Sequence, residues 1–196
     1  MSITSTLLQF GVPARYARAA HTMLGHGVEG AAYLLEGGTR VLKVNVTARH
    51  QDIARVARRV RGKSWAAPIY SSGPLRPPAR EGQGRGRGPR AAREAGALGF
   101  WYVAPRLFAV SARERQVLNA LGFALMAHAK GSLPAPALAA KWKQGLALLP
   151  AGLQRTLVSA RRAGYHDLHG GNVMRTSSGA YKVIDVESLR PLGRTR

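Results

Sequence analysis

Cysteine is absent from the chain, which excludes a disulfide framework and any thiolate metal site and fits a reducing compartment. Acidic residues are scarce, nine Asp and Glu against 30 Lys and Arg, for a formal net charge of +21. No run of about eighteen apolar residues is present to span a membrane. Met1 to Phe10 has neither a basic start nor a long apolar run, so no signal peptide is expected and the reading is cytoplasmic, with no membrane partner. No internal repeat is found. What remains is 196 residues, enough for one sizeable core or two small lobes.

The charge excess favours acidic partners: nucleotide, nucleic acid or an acidic protein face. Much of it lies in two clusters, Arg49 to Lys63 and Arg76 to Arg93. A solvated basic surface explains such clusters equally well. The few acids are therefore the more telling residues. Three of the nine, Asp167, Asp185 and Glu187, fall close together near the C-terminus.

Those acids belong to two motifs. The first is Tyr165-His166-Asp167-Leu168-His169-Gly170-Gly171-Asn172-Val173-Met174, and the second is Lys182-Val183-Ile184-Asp185-Val186-Glu187. Asn172 lies five positions after Asp167, and Asp185 eighteen. That is the spacing of a catalytic loop followed by a metal-binding strand in phosphoryl transfer. An aspartate must accept or orient the proton of an attacking hydroxyl. An Asn oxygen and a second carboxylate must hold magnesium against nucleotide phosphates.

The run Asp-Leu-His-Gly-Gly-Asn-Val-Met resembles the protein-kinase-like superfamily. It is similar to aminoglycoside phosphotransferases, and most like small bacteriophage-encoded protein kinases. Eukaryotic kinases usually carry Lys where this chain has His169 and Arg where it has His166. The resemblance implies an α+β, minimal two-lobe protein-kinase-like fold with a truncated C-lobe, since eleven residues follow Asp185. No activation segment or peptide platform is then expected. It implies an N-lobe over 1–104, a hinge over 105–108 and a helical C-lobe over 109–196.

Along the chain, residues 1 to 22 read as a helical lead-in, with helix formers from Ala14 to Met23. Gly25, Gly27 and Gly30 form a Gly-x-Gly-x-x-Gly run. Ala31 to Leu35 and Thr39 to Val44 read as strands joined at Gly37-Gly38. Glycines there permit a backbone to approach phosphates. Lys43 sits among Val41, Leu42 and Val44, where its ammonium must find a partner or snorkel. In the family it contacts the α- and β-phosphates. Thr47 to Arg61 reads as a helix with Ile53, Val56, Ala57 and Val60 on one face. The family's helix offers a Glu to the lysine, and this one has none. Either Asp52 stands in for it, with Gln51 the neutral option, or Lys43 leans on Asp185 and the phosphates.

Pro68-Ile69-Tyr70 reads as a short strand. Gly73 to Gly99 reads as a disordered basic insertion, an Arg-Gly tract that is either inert or a nucleic-acid contact. Gly99 to Ala104 is the clearest strand. Pro105-Arg106-Leu107 resembles the hinge, with Pro105 offering a carbonyl and Leu107 an N–H to adenine. Ser111-Ala112-Arg113-Glu114 is a capping box opening a helix from Arg113 to Ala129. Pro134 and Pro136 mark a turn before helices over Ala137 to Leu149 and Ala151 to Ala163.

Carried over residue by residue, Asp167 is the catalytic aspartate, and Asn172 and Asp185 hold metal. The Gly25, Gly27 and Gly30 backbone and Lys43 hold phosphates. His169 either donates to the γ-phosphate or hydrogen-bonds Asp167. Glu187 either approaches the metal or caps the segment after it. The implied cofactors are ATP and Mg2+, and the implied acceptor is a protein Ser/Thr hydroxyl, in the host cytoplasm if the chain is phage-encoded. A small-molecule phosphotransferase of the aminoglycoside-kinase type is the alternative. A pseudokinase-like basic protein gripping nucleic acid or polymerase is a second.

Overall fold

The computed structural model describes residues 2–27, 30–46, 53–76 and 99–186. They form a mixed α+β chain with a five-stranded antiparallel sheet, a three-stranded sheet and six helices among the described residues. Two compact units divide it, one of residues 1–61 and 68–106, the other of 62–67 and 107–196. Among the described residues no helix is long and apolar enough to cross a membrane.

In the first unit, α1 (Ile3–Gln9) starts at Ser2, whose hydroxyl accepts the Ser5 amide at 3.2 Å. Then come α2 (Ala14–Ala19), β1 (Ala20–Gly27), β2 (Gly30–Leu35), β3 (Arg40–Asn45), α3 (Ile53–Val60), β4 (Ser71–Leu75) and β5 (Gly99–Pro105). The strands lie in the order β1-β2-β3-β5-β4. The two-residue period of a strand sorts β3 and β5 onto two faces. Leu42, Val44, Trp101 and Val103 pack with Leu7, Val12 and Ala17, under α1 and α2. Phe100 and Tyr102 pack with Ile53, Val56 and Ile69 on the other face, beside α3.

Three expectations need correcting here. The helix expected to run to Met23 ends at Ala19, because the chain from Ala20 is taken up by pairing: Ala20 stands opposite Leu35 and Met23 opposite Tyr33. Long-range strand pairing outweighs the modest helix propensity of this stretch. The glycine run is thus preceded by a strand, and it spans the β1–β2 hairpin. The strand expected at Pro68 to Tyr70 lies slightly later, at Ser71–Leu75, so Gly73, Pro74 and Leu75 are sheet residues and Leu75 is fully buried. Proline is accommodated because β4 is an edge strand, where an N–H is dispensable. Gly73 leaves room for the Trp101 ring, which a Cβ would meet at 2.8 Å. The rest of the expected insertion, 77–98, lies outside the described residues.

In the second unit, β6 (Phe108–Ala109) precedes α4 (Ala112–Ala129), α5 (Ala135–Ala147), α6 (Ala151–Arg162), β7 (Val173–Arg175) and β8 (Tyr181–Val183). The Ser111 and Glu114 capping box forms as read from the sequence. Pro134 and Pro136 need a third correction. Pro134 is the N-cap of α5 and Pro136 sits in its first turn, where a missing N–H breaks no helical bond. Gly145 of α5 lies against Leu121 of α4, at a spot where a Cβ would come within 2.6 Å. The segment 62–67 joins β8: the Val183 amide donates to the Trp65 carbonyl at 2.8 Å, and the Ala67 amide to the Val183 carbonyl at 2.9 Å.

Candidate functional site

The polar cluster of the second unit is built on the loop between α6 and β7. Helix α6 ends at Arg162, and Gly164, at φ +84°, turns the chain toward Tyr165. Tyr165 is fully buried, so its hydroxyl needs partners within the protein. It donates to the Ile184 carbonyl at 3.0 Å, with the Asp185 carbonyl at 3.4 Å, and accepts from Asn172 Nδ2 at 3.2 Å. One phenol therefore ties the loop to the chain just beyond β8.

Asn172 is the second anchor and is buried. Its Nδ2 also donates to Asp167 Oδ2 at 2.9 Å and to the Asp167 carbonyl at 3.1 Å. Two amide hydrogens thus serve three acceptors, which fixes the orientation of the side-chain amide. Its Oδ1 has no hydrogen-bond partner among the described residues. The Asn172 backbone carbonyl accepts the Ile184 amide at 2.8 Å, a second tie to the approach of Asp185.

Asp167 presents its carboxylate to solvent, 53% exposed, between the buried Tyr165 and Leu168. Full burial of a leucine side chain stabilises by about 1.5–3 kcal/mol, so Leu168 pins the loop while its polar neighbours stay accessible. His169 Nε2 stands 3.6 Å from Asp167 Oδ1. Its Nδ1 accepts the Gly171 amide at 3.0 Å, so in the neutral ring the proton resides on Nε2, toward Asp167. At 3.6 Å the two side chains are close without a hydrogen bond between them.

Helix α4 buttresses the loop. Asn119 Oδ1 accepts the Gly170 amide at 2.9 Å. A Cβ on Gly170 would lie 2.4 Å from Arg115 Cγ and 3.0 Å from the Arg115 carbonyl, so only glycine lets the loop lie this close to the helix. At its first turn, Glu114 accepts the Ser111 amide at 2.7 Å and the Tyr181 hydroxyl at 2.5 Å. Burial pushes the Glu114 carboxyl up, but the bonds from Tyr181 and Ser111, with Arg175 nearby, outweigh it and hold the group below its ordinary range. Tyr181 is pushed up, by burial first and then by Glu114. Helix α4 is thereby fastened to β8 at Tyr181, four residues before Asp185.

Asp185 has φ +54°, the one non-glycine residue with positive φ among the described residues. Such a conformation costs about 1–2 kcal/mol for most residues and is better tolerated by aspartate. The structure thus brings Asp167, His169 and Asn172 into contact, and ties Asp185 to them through Tyr165 and Ile184.

The expected residues of the first unit lie on neighbouring strands. Gly25 and Gly27 belong to the exposed part of β1, and a Cβ on either would meet nothing within 4 Å. Gly30 differs, since a Cβ there would fall 1.9 Å from the Val44 carbonyl. Lys43 pairs with Ala32 and Tyr102, and its Nζ lies 5.9 Å from the centre of the Tyr102 ring. Strand alternation explains its apolar neighbours: Leu42 and Val44 face one core, and Lys43 shares the Tyr102 face. Pro105 ends β5 opposite Arg40. Leu107 follows the boundary between the units. Gln51, Asp52 and Glu187 lie outside the described residues.

Sequence reasoning did not single out Tyr165, Asn119 or the Glu114–Tyr181 pair. A tyrosine leading directly into the Asp167 loop was the available signal for the first. Among the described residues, no group of three or more His, Cys, Asp and Glu converges as a metal site would require. No protein-family model matches the chain, and no curated protein matches it.

Proposed function

We propose that the chain is a phosphotransferase of protein-kinase-like fold, moving the γ-phosphoryl group of ATP to a protein Ser or Thr hydroxyl. The observation that carries this reading is the hydrogen-bonded set Asp167–Asn172–Tyr165, with Asp185 attached through Ile184. In the reaction the acceptor oxygen bonds to the γ-phosphorus, the bond to the β,γ-bridging oxygen breaks, and ADP leaves. Asp167 receives or orients the hydroxyl proton, at a carboxylate that Asn172 holds from one side.

Magnesium fits the residues present. Asn172 commits its nitrogen to three acceptors and keeps Oδ1 for a cation, and Asp185 adds a carboxylate, a set of hard oxygen donors. Magnesium typically takes one or two protein carboxylates and completes its shell with phosphates and water, so no cluster of three acids is needed. When bound it neutralises phosphate charge. Lys43 and the glycines of β1 and β2 supply phosphate contacts in this reading. The open space above Gly25 and Gly27 suits such a role, while Gly30 is already accounted for by packing.

The test is incubation of the purified chain with γ-labelled ATP, magnesium and a cell lysate. Labelled protein bands that vanish for Asp167→Asn are expected. Their absence with every acceptor, together with tight nucleic-acid binding, would favour a basic binding protein instead, the reading that the charge of +21 supports.

A further inference from the structure

A groove of about 820 Å³ in the second unit runs from the Asp167 loop along α4. Its walls differ in character. Phe123 and Met126, three positions apart on one face of α4, remain 69% and 49% exposed. Leu125 and Leu138 extend this apolar side. Opposite in chemistry are Arg161, His166 and His169, and Asp167 is the one carboxylate among the lining residues. Arg161 is held in place, its guanidinium 4.6 Å from the centre of the buried Trp142 ring.

We infer that this groove is the acceptor-docking site, and that it takes an acidic polypeptide segment with a large apolar side chain near the reactive hydroxyl. The inference rests on Asp167 being the catalytic aspartate. The apolar side chain rests on Phe123 and Met126, whose exposure beside a polar loop marks an interaction surface. Glutamate or aspartate of the segment meets Arg161, beside His166, and the hydroxyl lies at Asp167. The volume suits a few side chains. A cationic small molecule is disfavoured by the guanidinium.

Fluorescence anisotropy with the full chain tests this without ATP. Three labelled probes are compared: a short peptide with Ser, Leu and several Glu, the same peptide with Lys for Glu, and an oligothymidylate. The acidic peptide is expected to bind, more weakly at high salt, and Phe123→Ser and Arg161→Gln are each expected to weaken it about fivefold or more. Phe123 is largely exposed, so its replacement leaves the fold intact, as a melting curve will verify. Equal binding of the Lys peptide, no acidic-peptide binding, or indifference to Phe123→Ser would overturn the inference. So would oligothymidylate binding that Phe123→Ser weakens while peptide binding is unmoved. Adding labelled ATP and magnesium separates the two readings. Groove-dependent binding without transfer keeps the groove as an acidic-peptide site but removes its acceptor role together with the enzyme assignment. Transfer to a peptide that is indifferent to both variants does the reverse.

Discussion

A methyl group added to Gly30 would collide with the Val44 carbonyl at 1.9 Å, whereas one added to Gly25 would meet nothing within 4 Å. Gly30→Ala is therefore expected to destabilise by about 1–3 kcal/mol, the usual scale of forced overpacking. Gly25→Ala should leave the melting temperature almost unchanged and weaken ATP binding, if the glycine backbone lies on phosphate. Thermal melts and calorimetric titration with magnesium-ATP separate the two. Asp167→Asn should retain ATP binding while transfer drops about 100-fold or more, the scale of a lost acid–base group. A labelled-ATP assay with intact transfer by this variant would remove Asp167 from the mechanism. That Asp167 and Asn172 come together was legible in the sequence, because five positions separate them within one short loop, and Asn172 Nδ2 does donate to Asp167 Oδ2. The place of Tyr165 was not, because a buried phenol looks like any core aromatic until its acceptor and donor partners are placed around it.

Element boundaries follow the same division between local and long-range physics. The capping box at Ser111 was legible because its two bonds involve residues three apart. The end of α2 and the start of β4 were not, because Leu35 and Val103, which decide them, lie far along the chain. The fastening of α4 to β8 likewise joins Glu114 to a residue 67 positions away. It has a pH signature. Glu114 titrates below its ordinary value of 4.5 in the folded chain, so its stabilisation is fully present above that value and is lost as pH falls through the lower folded one. Glu114→Gln is expected to lose about 1.5–3 kcal/mol at neutral pH, the range for a hydrogen bond to a charged group. Its stability should also fall less steeply with acid than the wild type's, as denaturant titrations between neutral pH and about pH 3 will measure. Equal slopes for the two proteins would show that the pair contributes nothing through charge.

At the scale of the whole molecule, the charge of +21 was fully legible, while its partner was not, since a net charge selects a sign and not a molecule. Removing 77–92 tests whether that basic stretch contributes to any polyanion binding. Leu75 and Gly99 are paired neighbours, so the shortened connection still has only a small gap to close. The melting temperature should hardly change. Affinity for oligothymidylate should fall, with the slope of log affinity against log salt shallower by about 0.7 for each arginine–phosphate pairing removed. A large loss of stability would mean that the excised stretch is structural. The path of the backbone carries a different consequence. The chain passes between the two units after 61, 67 and 106, so residues 62–67 belong with a unit whose remainder begins at 107. A single cut after Arg106 therefore cannot free that unit whole. The 107–196 fragment would leave behind the Trp65 carbonyl and Ala67 amide that pair with Val183, and its Val183 amide should exchange hydrogen rapidly. Expressed together, fragments 1–106 and 107–196 are expected to be recovered as one species, because the first carries the 62–67 segment that bonds to Val183 of the second. The halves would then report each other's presence by complementation, as an inseparable pair rather than as two modules.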